Sequence, residues 1–176
     1  MNFAYKMDPA HSRAHFTVRH MMITNVRGDF SGIDGTVSYD PDHPADTKVQ
    51  VTIPVSTINT NEPQRDAHLK SPDFLDAEKY PTITFAGKKV TPEGEGELKV
   101  TGDLTIHGVT KEVVLNVEGP TEETKDPWGN LRIGAAAATK IKRKDFGLTW
   151  NTTLETGGVL VGDEVKIELD VSLIRS

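Results

Sequence analysis

The sequence predicts an all-β protein, a barrel or sandwich of antiparallel strands, and three observations carry that prediction. Apolar and polar residues alternate with a period of two along most of the chain, turn-forming residues separate the alternating runs, and only one segment reads as helical. With 176 residues the chain suits a single domain over 1–176 that can bury a core without disulfides, and it has no cysteine.

The alternation can be followed in chain order. Ala14, Phe16 and Val18 alternate with His15, Thr17 and Arg19, and Val26, Gly28 and Phe30 with Arg27 and Asp29. Ile33, Gly35, Val37 and Tyr39 follow, then Val49, Val51, Ile53 and Val55. Leu98, Val100, Gly102, Leu104 and Ile106 precede Val113, Leu115 and Val117. The chain closes with Val165, Ile167, Leu169, Val171 and Leu173 against Lys166, Glu168, Asp170 and Ser172. One apolar and one polar face is the signature of antiparallel strands with one side wet. Ser31-Gly32, Glu93 to Gly96, His107-Gly108 and Gly157-Gly158 supply the flexible or positive-φ residues that hairpins require. Long strands, short turns and no long helices between them argue against a βαβ sheet.

Two segments depart from the pattern. Asn61 can cap a short helix with Pro63 in its first turn and Lys70 near its end. Ser71-Pro72 restarts a turn or two through Phe74 and Leu75, stopped by Pro81, so a helical insertion is expected at about 62–79, placed over a barrel end as a lid. Gly119 to Asn130 is polar and reads as an exposed loop.

Composition excludes several functions. The net charge of −6, with both signs interspersed, lacks the basic footprint of a nucleic-acid binder. The run Lys140, Lys142, Arg143, Lys144 reads as a solvated strand end. No stretch approaches the ~20 apolar residues of a membrane span. The opening MNFAYKMDPAHS lacks the basic-then-apolar layout of a secretory signal, which favours a cytoplasmic location, with the periplasm as the alternative if a leader was removed.

Catalytic and metal chemistry find little support. His11, His15 and His20 fall on one predicted strand, where residues four apart lie ~13 Å from each other, so they cannot chelate one ion together. No nucleophile elbow, phosphate loop or dinucleotide fingerprint occurs. Ser12 and His11 are adjacent and face opposite ways, while Asp66 with His68, or Asp73 with Asp76, would be the acid–base pairs to consider near the helical cap. No metal and no cofactor are expected. The stretch Ile133 to Thr139, rich in alanine and glycine, is the more informative feature. Inward-facing alanines would leave space inside a barrel, although small residues can equally admit a close neighbour.

The string MDPAHSRAHFTVRHMMITNVRGDF from Met7 to Phe30 closely resembles the opening of the YceI-like family. Further matches follow in order: DAHLKSPDFLDAEKYPTITF from Asp66 to Phe85, GDLTIHGVTK from Gly102 to Lys111, RKDFGL from Arg143 to Leu148 and VGDEV from Val161 to Val165. The resemblance spans essentially the whole chain. It implies an extended, lipocalin-like antiparallel β-barrel of about eight strands with a short helical insertion. It also implies non-catalytic binding, storage or transport of a long-chain isoprenoid, or a similar fatty-acid-like or quinone-like amphiphile, in an elongated cavity, and a homodimer such as some members of the family form.

Within that frame, Phe16, Val18, Phe30, Ile83, Phe85, Ile133, Ala135, Ala137 and Trp150 are the expected lining residues, each of which could instead be plain core. His20, Arg143 and the helical residues near Asp66 are the candidates for meeting a polar head group, with paired hydrogen bonds from Arg143 if that group is a phosphate. An enzyme acting on a small amphiphile, or a stress-related structural module with a filled barrel, are the competing readings.

Overall fold

The computed structural model describes residues 2–152, 154 and 158–176. Met1, and Gly157 of the expected Gly157-Gly158 turn, therefore lie outside the described residues. The strands are β1 (Phe3–Met7), β2 (Arg13–His20), β3 (Thr24–Phe30), β4 (Asp34–Tyr39) and β5 (Lys48–Pro54), followed by the helix α1 (Pro63–Lys70). Then come β6 (Thr82–Gly94), β7 (Glu97–Ile106), β8 (Val109–Glu118), the two-residue β9 (Thr124–Lys125), β10 (Leu131–Lys142) and β11 (Val161–Arg175).

Every pairing is antiparallel, and the fold is a closed eight-stranded, lipocalin-like barrel. The seam closes where β10 pairs with β11 from Arg132↔Ile174 to Lys142↔Glu164, and with β8 from Ala136↔Glu118 to Ala138↔Asn116. On its other edge β11 pairs with β2 and then β1, so β1 and β2 act as one bent strand, and β3 and β4 as its partner. Closure removes the unpaired edges that an open sheet of such long strands would expose. The barrel resolves the choice between barrel and sandwich that alternation alone left open.

The predicted parity holds. Leu98, Val100, Gly102, Leu104 and Ile106 are buried along β7 while their neighbours are more exposed, and Ile133 and Ile141 are buried on β10. The β7–β8 turn is His107-Gly108, with φ of 56° and 71°, which matches the right-handed strand twist. Gly28 on β3 faces inward under the Phe16 ring, where a Cβ would come within 2.4 Å of Phe16 Cζ, so the aromatic covers the gap that the glycine leaves.

Three local expectations need correction. Ser31-Gly32 is a bend between β3 and β4, not a hairpin, because both strands run the same way along the β2–β1 edge. The true reversal is Met21-Met22-Ile23, which alternation hides because these residues are apolar. The cap of α1 is Glu62, whose carboxylate accepts the N–H groups of Gln64 and Arg65, while Asn61 before it takes a positive φ of 63°. A carboxylate at that end also meets the positive end of the helix dipole. Finally, Gly119 to Asn130 is not wholly irregular: β9 pairs with Leu131 and Arg132, and Asp126 bonds Arg132 Nε at 2.6 Å.

Candidate functional site

The inward faces of the strands do not meet across the centre. They enclose two chambers in line along the barrel. The larger, of about 180 Å³, is walled by Ala14, Phe16 and Val18 of β2, Phe30 of β3, Ile83 and Phe85 of β6, Leu104 and Ile106 of β7, and Val165, Ile167 and Leu169 of β11. The smaller, of about 100 Å³, lies beyond it, among Met7, Val37, Val49, Val100, Val117, Ile133, Ala135, Ala137, Val171 and Leu173. Val51, Phe85, Leu115 and Leu169 belong to both walls and form a waist. The Phe85 ring reaches across to Gly102, whose absent Cβ would lie 2.6 Å from Phe85 Cζ. From Val161 to Leu173 the lining residues of β11 cover twelve residue steps, which is ~40 Å at ~3.3 Å per residue. The filled-barrel alternative is therefore not what the interior looks like.

The mouth lies at the α1 end. Phe16, Val18, His20 and Val26 of the β2–β3 hairpin face Gln64, Arg65, His68 and Leu69 of α1, with Phe74 and Trp150 between them, around a pocket of about 320 Å³. Phe16, Val18, Leu69, Phe74 and Val161 also border the larger chamber, so the mouth leads into it. The His68 ring packs edge-on against Phe74 and Trp150, with centroids 5.0 and 4.9 Å away. His68 Nε2 lies 2.9 Å from Asp73, not from Asp66. Asp66 instead accepts the N–H and hydroxyl of Thr60, whose oxygens in turn accept from Arg65. This network, anchored on Asp66 Oδ1, fixes the entry to α1. Ser12 is likewise structural: its Oγ accepts the Ser172 N–H at 3.1 Å.

Every expected lining residue borders one of these spaces. Phe16, Val18, Phe30, Ile83 and Phe85 wall the larger chamber, and Ile133, Ala135 and Ala137 the smaller. Trp150 and His20 stand at the mouth, not inside the barrel. Sequence reasoning passed over Leu69, Leu104, Ile106, Leu115 and the β11 face as lining residues, although the alternation already marked most of them as inward.

Arg143 departs most from expectation. The sequence places it in a solvated basic run, yet it is 4 % exposed and borders the larger chamber. Its Nε donates to the Gly162 carbonyl at 2.8 Å, Nη1 to those of Leu148 at 2.8 Å and Trp150 at 3.1 Å, and Nη2 to that of Val161 at 3.3 Å. A guanidinium has five N–H donors, so one remains beyond these four bonds. The paired hydrogen bonds expected to a phosphate are thus not available without breaking the loop contacts. Burial pulls the Arg143 pKa below its usual value, partly opposed by Asp163. The group stays charged, since arginine ionises far above neutrality.

At the opposite end Arg132 bridges Asp126 and Asp8, at 2.6 and 2.8 Å, and holds both carboxyls down to about 2. Among the described residues no three of His, Asp and Glu converge so as to hold a metal ion, and no helix is long and apolar enough to cross a membrane.

Comparison with known proteins agrees with this architecture. The sequence profile of the YceI-like domain matches residues 5–173. Protein YceI of Escherichia coli O157:H7 is 42 % identical over 146 residues, covering 82 % of this chain and 75 % of that protein. A UPF0312 protein of Photorhabdus laumondii is 44 % identical over 144 residues, covering 81 % and 74 %. Among solved structures, BcnA of Burkholderia cenocepacia superposes with a TM-score of 0.80 at 25 % identity, covering 94 % of this chain and 98 % of that one. The YceI protein of Campylobacter jejuni gives 0.74 at 34 % identity, with 90 % of each chain covered. A polyisoprenoid binding domain from Saccharophagus degradans shares the fold, with a TM-score of 0.70 over 99 % of each chain at 16 % identity.

Proposed function

We infer, from the premise that this chain belongs to the YceI-like family, that it is a non-catalytic carrier that shelters a long-chain isoprenoid or similar amphiphilic lipid inside the barrel. The observation that carries this reading is the two-chamber interior: a nearly unbroken apolar wall leading from an open mouth to the far end, ~40 Å along β11. Each methylene moved from water into such a space contributes ~0.8 kcal/mol. The loss of chain freedom offsets part of that gain, at ~0.5–1.5 kcal/mol for each immobilised, rotamer-rich group. A long tail therefore binds without many polar contacts, in keeping with a wall whose inward polar side chains are few. That the Saccharophagus domain with this fold is described as polyisoprenoid-binding supports the same ligand class.

The head of the guest would stay at the mouth, near His20, Arg65 and the His68–Trp150 pair. The charge of Arg143 and its one spare N–H favour an electron-rich oxygen, such as a phosphate or a quinone carbonyl, at the upper end of the chamber. A wall without an oriented nucleophile, and with Asp66 and Ser12 committed to structural bonds, supports a binder over an enzyme.

Native mass spectrometry and organic extraction of the purified protein test this directly. The expected result is a bound, extractable lipid whose retained length shrinks in Ala137→Phe, since Ala137 faces the smaller chamber. An apo mass alone, with empty extracts, would overturn the proposal.

A further inference from the structure

The β2–β3 hairpin carries a feature that lipid binding inside the barrel does not use. Its reversal consists of Met21, Met22 and Ile23, which are 43, 56 and 70 % exposed, and Val159 beside them is 41 % exposed. Met21 and Met22 both have positive φ, 52° and 62°. That backbone suits Asn-Gly, which would be soluble and unstrained there; two bulky apolar residues cost both strain and exposed apolar surface. The turn is held in place, with the Met21 N–H bonded to the Leu160 carbonyl at 2.8 Å and Met22 Sδ against Gly158. Met22 leans back on Gly158, yet much of its surface, with that of Met21 and Ile23, stays exposed at the rim of the barrel.

The flanks supply the charge. From Arg13 to Gly28 the chain has three arginines and no carboxylate, although its net charge is −6. Arg19 and Arg27 are exposed on the outer face of the hairpin, and among the described residues neither has an ion-pair partner. Of the carboxylates near this end, Glu62 caps α1, Asp73 meets His68, and Asp163 accepts the Lys144 N–H. Apolar side chains at a tip, with unpaired cations set back from it, match the layering of an anionic bilayer, where acyl chains lie beneath negative head groups. The same hairpin forms one side of the mouth through Phe16, Val18 and His20.

We propose that the Met21–Ile23 hairpin tip docks this protein on an anionic lipid surface, inserting its apolar side chains between head groups that Arg19 and Arg27 contact, with the barrel mouth held against the bilayer. This goes beyond carriage of a lipid and does not need it, since Met21, Met22, Ile23 and Arg27 border neither chamber nor the mouth, and Arg19 borders the mouth alone. The occupant is a lipid surface; a protein partner or a second copy of the chain would show itself as association without vesicles.

The test is co-sedimentation with vesicles of phosphatidylcholine and phosphatidylglycerol in equal parts, beside pure phosphatidylcholine vesicles. The whole protein should bind the anionic vesicles, more weakly at high salt and on the neutral ones. Met21→Asn combined with Met22→Gly and Ile23→Thr should bind at least ~10-fold more weakly, given the apolar surface removed. That variant suits the turn, so its thermal midpoint should not fall, which separates lost docking from lost folding. Arg19→Gln with Arg27→Gln should flatten the salt dependence. Wild-type protein left in the supernatant of anionic vesicles, or a triple variant that binds like wild type, would overturn the proposal. Extracted lipid content, measured on the same samples, reports on the cavity separately: an empty barrel that still docks refutes the carrier reading alone.

Discussion

If Phe85 divides the interior, then shortening it should change which guests the barrel prefers. A guest that fills only the larger chamber leaves the ring on Gly102, while a longer one must turn it aside. Displacing the ring from its packed rotamer costs ~0.5–1.5 kcal/mol, and ~1.4 kcal/mol corresponds to a factor of ten in affinity. In Phe85→Ala this cost disappears, so the ratio of affinities for long over short guests should rise up to ~10-fold. The apo variant should also lose ~3 kcal/mol of stability, the lower end for a buried phenylalanine, because the ring already borders open space on two sides. At ~2–4 °C per kcal/mol for a chain of this size, the thermal midpoint should fall by ~6–12 °C. Gly102→Ala is the poorer probe, since its Cβ would also lie 2.5 Å from the Ala86 carbonyl oxygen and strain the sheet. Delipidated wild type and variant would be melted with and without farnesol or solanesol, and the affinities drawn from the midpoint shifts. An unchanged long-to-short ratio, with the expected loss of apo stability, would refute the role of Phe85 as divider.

Two further outcomes concern the arginines. Arg143→Ala leaves the Gly162, Leu148 and Trp150 carbonyls without this donor, while that of Val161 keeps Asn151, and should destabilise by ~3 kcal/mol or more in urea titrations; a loss under ~1 kcal/mol would show that the loop satisfies them otherwise. Arg132→Gln should weaken the protein at neutral pH, since both carboxylates lose their guanidinium partner. Asp8 and Asp126 have folded pKa values near 2, below the 3.8 of a free carboxyl, so their stabilisation is present above about pH 4 and fades as pH falls towards 2. The variant should therefore lose less stability than wild type between pH 4 and pH 2; parallel pH–stability curves would count against the bridge.

Much of the fold was legible because side-chain parity on a strand is a local property. Once Phe16, Val18, Phe30 and Ile83 alternate with polar neighbours, their inward direction follows wherever the strand lies. The turns were legible only where their chemistry was conventional. His107-Gly108 announced itself, whereas Met21-Met22-Ile23 did not, because the same residue types elsewhere mark a strand. Ser31-Gly32 looked like a reversal and is a bend, since a glycine permits a conformation without specifying which one the neighbouring strands impose.

Sequence by itself determined the all-β class, the inward and outward faces, and the family. Tertiary structure alone decided that the inward faces stand apart, that the Phe85 ring lies over Gly102 of the adjacent strand and borders both chambers, and that Arg143 turns from a basic run to bond carbonyls between five and nineteen residues away. The physical reason is range. Alternation is written in neighbours along the chain, but the width of a cavity and the partner of a buried charge depend on strands that closure of the barrel brings together.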